Sequence, residues 1–93
     1  MAYTLHFPTP WDQVNRENDN IDVCMTFPDG RSYTFVVATP ENLNALMAQD
    51  GKPYLSPAAP MLIAERLTEN VVSRLIAELA KDERLLTCYG SDL

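Results

Sequence analysis

Two hydrophobic rhythms run along the chain. Tyr3, Leu5 and Phe7 alternate with Thr4 and His6, the two-residue period of a half-buried strand over 3–7. Pro8 and Pro10 stop it. Thr9 followed by Pro10 reads as an N-cap with proline at the first helical position, which predicts one helical turn through Trp11 and Val14. Asn15 to Asn20 is polar and reads as loop.

The same rhythm returns as a hairpin over 21–27 and 31–38. Phe27-Pro28-Asp29-Gly30 suits a type I turn, with proline at its second position and a glycine free to take positive φ. A three-residue loop sets Met25 against Tyr33, Val23 against Phe35 and Ile21 against Val37, so the apolar residues share one face. A two-residue loop would set Met25 against Thr34 and mix the faces. The three-residue loop with a glycine bulge is therefore predicted. Asp22, Cys24, Thr26, Ser32 and Thr34 fall on the other, water-facing side.

The helical rhythm then takes over. Thr39-Pro40-Glu41 is a cap followed by proline, Leu43, Leu46 and Met47 form a narrow stripe, and Gly51 terminates a helix over about 40–50. Lys52 to Pro60 reads as a surface connection held by Tyr54 and Leu55. Met61 to Ala64 is apolar without interruption and suits a central strand within 61–67, although the period alone does not exclude a buried helical turn. Thr68 caps a second helix over about 69–82. Leu67 and Val72 sit at the two positions of a hydrophobic staple. Val71, Val72, Leu75, Ile76, Leu79 and Ala80 share its buried side, and Lys81 and Arg84 lie near its end, where they suit the dipole. Leu85 to Tyr89 reads as either an edge strand or a docked tail.

Together these elements predict a single two-layer α+β domain over 1–93, a small, mostly antiparallel sheet covered on one face by the two helices. At 93 residues and 46% hydrophobic composition, the chain is long enough for one core. No apolar run approaches a membrane span and no signal peptide is evident, so a soluble cytoplasmic protein is expected. Cys24 and Cys88 are too few for a disulfide scaffold and are expected as reduced, mostly buried thiols.

Charge changes the picture more than composition does. Thirteen acidic residues against seven basic ones give a net charge of −6. The first half is the more acidic, with Asp12, Glu17, Asp19, Asp22 and Asp29 offset locally only by Arg16. Such a field repels nucleic acid and anionic membrane and favours basic partners, though it also serves plain solubility. The basic residues are scattered, with no stripe interleaved with aromatics for nucleic-acid binding. No catalytic constellation is recognisable. His6 is the sole histidine, and pairing it with Cys24 as a nucleophile would need an orienting group and an oxyanion site that nothing signals. His6, Cys24 and Cys88 lack metal-ligand spacing. Asp12, Glu17, Asp19 and Asp22 lack the glycine and closing glutamate of a calcium loop. No glycine-rich loop cradles a phosphate, and no cofactor is predicted.

Asp29-Gly30-Arg31-Ser32-Tyr33, Thr39-Pro40-Glu41-Asn42-Leu43 with Leu46-Met47, Leu62-Ile63, and Leu67-Thr68-Glu69-Asn70-Val71 together carry a resemblance. Over residues 21–82 the chain resembles small, uncharacterised bacterial proteins built as a β-hairpin, helix, strand and helix. The resemblance implies that fold and a bacterial or phage origin, and no activity. The residues themselves point to a non-enzymatic, acidic protein-interaction domain of the immunity-protein or inhibitor type that binds a more basic protein. Trp11, Asp12, Glu17, Asp19 and Asp22 are its expected surface, because tryptophan beside an acidic loop suits an interface anchor. Trp11 capping one end of the core is the competing reading. Two other functions fit: a small enzyme or ligand-binding subunit with a pocket between sheet and helices using His6 or Cys24, or a homodimeric module joined through sheet edges or the first helix.

Overall fold

A computed structural model describes residues 2–57 and 60–92 of the chain. In order they form β1 (Thr4–His6), a 3-10 turn (Trp11–Gln13), β2 (Asn20–Thr26), β3 (Ser32–Ala38) and α1 (Pro40–Asp50). β4 (Leu62–Ile63), α2 (Glu69–Leu79), α3 (Glu83–Tyr89) and β5 (Ser91–Asp92) follow. The strands run β1-β2-β3-β4 across the sheet, with β5 also beside β3. Every pairing is antiparallel except β3 with β4. The result is the expected small α+β fold.

The hairpin has the register its turn chemistry requires. The Phe27 N–H donates to the Arg31 carbonyl (2.9 Å), the Gly30 N–H donates to the Phe27 carbonyl (3.0 Å), and Gly30 takes φ +96°. Met25 opposes Tyr33, Val23 opposes Phe35 and Ile21 opposes Val37. Those positions face the core, where Val23, Met25, Phe35 and Val37 are fully buried. Leu5 of β1 lies opposite Met25 and continues the apolar face.

Thr39 connects the sheet to α1 and is itself fully buried. Its hydroxyl accepts from the Asn42 N–H (3.2 Å) and from the Asp19 N–H (3.4 Å). The cap therefore holds both a helix and the loop before β2. Gly51 closes α1 with φ +66°, the left-handed conformation expected of a helix terminator. α1 nonetheless buries no residue fully. Leu43, Leu46 and Met47 all lie outside the central cluster.

The helical layer is made by α2 and α3. Val72, Ile76 and Leu79 of α2 and Leu86 of α3 pack with the sheet residues, and Leu67 completes the staple beneath Val72. Each fully covered aliphatic contributes roughly 1.5–3 kcal/mol. Thr68 caps α2 as expected, accepting from the Val71 N–H (3.2 Å).

Several elements differ from the sequence expectation. The 3-10 turn has Pro10, not Thr9, at its N-cap and no side-chain cap. β4 is two residues long and lies at the edge of the sheet, with Ile63 57% exposed. The Ala64 N–H still donates to the Ala38 carbonyl (3.0 Å), but the Leu67 N–H donates to Arg16 (2.7 Å), so the chain has left the sheet before it reaches Leu67. α2 stops at Leu79 rather than Asp82 and has no basic residue in its last turn. Asp82 caps α3 by accepting from the Arg84 N–H (2.9 Å). Arg84 therefore belongs to α3, and Leu85 to Tyr89 is helix rather than strand or tail. Tyr54 is 55% exposed and does not anchor its connection. Two residues of that connection, 58 and 59, lie outside the described residues. Cys88 is exposed and Cys24 half-buried, so neither thiol is a core residue.

Candidate functional site

Of the five residues expected to form one surface, Trp11 and Asp12 lie in the 3-10 turn, Glu17 and Asp19 in the loop after it, and Asp22 in β2. Trp11 is half-buried and packs on the core cluster, its ring 5.0 Å from that of Phe7. Its indole Nε1 is buried with no hydrogen-bond partner among the described residues. Asp12 is exposed beside it. Asp19 organises its own loop: one carboxylate oxygen accepts from the Asn15 N–H (3.1 Å) and the other from the Asn20 N–H (2.8 Å). Asp22 lies on the open face of the sheet with Cys24 and Thr26, opposite to the face on which Trp11 packs.

Glu17 is brought to other carboxylates instead. Asn42, in the first turn of α1, donates from Nδ2 to Asn18 Oδ1 (3.3 Å) and accepts at Oδ1 from Asn20 Nδ2 (3.0 Å). This clamps the 15–20 loop to α1. The Arg16 carbonyl, accepting from Leu67, ties the same loop to the segment between β4 and α2. Glu17, Glu41 and Glu65, from three distant stretches, consequently line one cleft of about 250 Å³ with Pro40 and Arg66. Arg66 is paired with Glu65 at 3.7 Å with both side chains largely exposed, an arrangement worth about 0–1 kcal/mol. Glu41 also sits in the first turn of α1, where the helix dipole favours a carboxylate.

A second cleft, of about 320 Å³, adjoins the first through Glu65. Ile63, Val71 and Leu75 form its apolar lining, with Arg74 and Glu78 on its wall. Val71 and Leu75 belong to the α2 stripe but are only half-buried.

The sheet's open face carries the remaining chemistry. His6 of β1 lies directly opposite Cys24 of β2, and Cys24 Sγ is 4.0 Å from Thr34 Oγ1. His6 is exposed, and neither His6 nor Cys24 lines the clefts around β4 and α2. Among the described residues, no group of three or more His, Cys, Asp or Glu side chains is placed to hold a metal ion. No helix among them is long and apolar enough to cross a membrane.

Among the described residues, three charged groups depart from their ordinary titration, Asp29 and Arg31 at the hairpin turn and Asp82 at the start of α3. The Arg31 N–H and guanidinium hold Asp29 below its usual range. Asp29 in turn raises Arg31, which also reaches Glu83 (3.3 Å). Arg84 holds Asp82 low through side-chain and backbone hydrogen bonds. These groups tie the hairpin turn to α3 and stabilise the start of that helix.

The signal for Glu41 and Glu65 was present only as isolated acids. Their meeting depends on the parallel β3–α1–β4 crossover, which the apolar pattern did not encode. Comparisons with protein-family models, curated proteins and solved structures find no match for the chain.

Proposed function

We propose that this protein is a non-enzymatic, acidic interaction domain of the inhibitor or immunity-protein type, whose Glu17–Glu41–Glu65 cleft receives a lysine or arginine side chain of a more basic protein. The observation that carries this reading is the convergence of three carboxylates on one cleft, held there by the Asn42 clamp and the Arg16–Leu67 hydrogen bond. An exposed pairing of a cation with one of these carboxylates contributes about 0–1 kcal/mol, so the three together supply on the order of 1–2 kcal/mol. The −6 net charge adds long-range attraction for a basic partner. Arg66 opposes entry weakly, since its exposed pairing with Glu65 is readily exchanged for an incoming guanidinium.

Local geometry and overall charge separate in one binding experiment. Glu17→Gln, Glu41→Gln and Glu65→Gln together change the charge by the same amount as Asp12→Asn, Asp22→Asn and Glu83→Gln together. Binding of a fluorescent hexa-arginine peptide, read by anisotropy, is expected to weaken about tenfold in the first triple variant, equivalent to about 1.4 kcal/mol. The second should retain most of the affinity. Equal losses would mean that only net charge matters, and the cleft would have no specific role.

A further inference from the structure

Resting on that reading, we infer that the partner enters as an extended segment carrying an apolar side chain within a few residues of its cationic one, and that the apolar side chain seats on Ile63. Ile63 is 57% exposed although it sits in a strand beside β3. On one side it lines a cleft with the half-buried Val71 and Leu75. On the other it borders an apolar groove of about 250 Å³ with Leu43, Leu55 and Met61. Ile63 is therefore a ridge between an apolar groove and a mixed cleft with an apolar floor and a charged wall, a form suited to straddling by a side chain.

Continuity with the carboxylate cleft sets the pattern. Glu65 lines both that cleft and the one holding Ile63, Val71 and Leu75. Ile63 and Glu65 are two residues apart, at most about 7 Å along an extended chain. A partner side chain on Ile63 thus places its neighbour two to four residues away within reach of Glu65, on the rim of the carboxylate cleft.

Charge selects the occupant. A second copy would bring another −6 and its own carboxylates against this rim. Arg74 and Glu78, one turn apart on α2, carry opposite charges, and among the described residues lining the carboxylate cleft three are acidic and one, Arg66, is basic. A basic segment matches this surface and a like-charged copy does not.

Calorimetric titration of the intact protein with two peptides tests the inference. One carries two arginines and a leucine two residues beyond the second; the other has serine in place of leucine. The leucine peptide is expected to bind about tenfold more tightly, the scale of one partly covered aliphatic side chain. Ile63→Ser should abolish that gain and leave the serine peptide's affinity unchanged, with Ile63→Thr substituting if the serine variant does not fold. Equal affinities of the two peptides for the unaltered protein overturn the inference while leaving arginine recognition standing. A leucine gain that survives both Ile63 variants overturns it too, as does a concentration-dependent dimer in sedimentation that Ile63→Ser dissociates. Failure of both peptides to bind removes the cleft reading as well.

Discussion

Single residues carry constraints that their types alone do not reveal. A Cβ at Gly90 would lie 2.7 Å from the Leu86 carbonyl oxygen and 2.9 Å from the Phe35 ring, so close approach rather than a special backbone angle requires glycine there. Gly90→Ala should destabilise by about 1–3 kcal/mol, measured by urea unfolding, as overpacking commonly does. Trp11 makes the opposite case. Its buried Nε1 has no hydrogen-bond partner among the described residues, so Trp11→Phe should cost less than about 1 kcal/mol, whereas Trp11→Ala should cost about 2–3 kcal/mol by the same measurement. Asp82 supplies a pH test. Its folded-state pKa lies below the ordinary 3.8 because Arg84 stabilises the carboxylate. Its contribution is therefore present above that value and lost as pH falls through the lower, folded-state one. The difference in thermal midpoint between the native protein and Asp82→Asn should be visible near neutrality and shrink in strong acid.

Elements were legible where local chemistry decided them. The Pro28-Asp29-Gly30 loop and the alternation around it determine the hairpin register. Thr39 with Gly51 determines α1, and Thr68 with Leu67 and Val72 determines the start of α2. β4 was not legible, because Met61 to Ala64 has the same apolar pattern whether the strand is central or at an edge. Its parallel pairing with β3 leaves no local mark. α3 was hidden differently. The run through Lys81 reads as a continuing helix, although Asp82 before Glu83, with Leu86 in place to reach the core, forms a second helix start. Asn42 was equally silent: a polar residue in a first turn gives no sign that it clamps a loop. Asn42→Ala should lower stability by about 0.5–1.5 kcal/mol and, by releasing Glu17, weaken arginine-peptide binding.

At the scale of the molecule, acidity was plain in the sequence but its arrangement was not. Composition pointed to the run from Asp12 to Asp22, which runs through the 3-10 turn, a self-bonded loop and the open face of β2. Only Glu17 of that group reaches the convergent cleft, and its companions Glu41 and Glu65 come from the crossover. Binding through this cleft should weaken as salt rises, because exposed charges are screened beyond about 8 Å at physiological ionic strength. Salt alone does not identify the location. The most direct measurement is backbone amide chemical-shift mapping of the labelled protein during titration with hexa-arginine at physiological salt. The largest shifts are expected at Glu17, Glu41 and Glu65 and their immediate neighbours. Largest shifts at Asp12, Asp22 and Asp29, or small shifts spread evenly over every carboxylate, would contradict binding in this cleft.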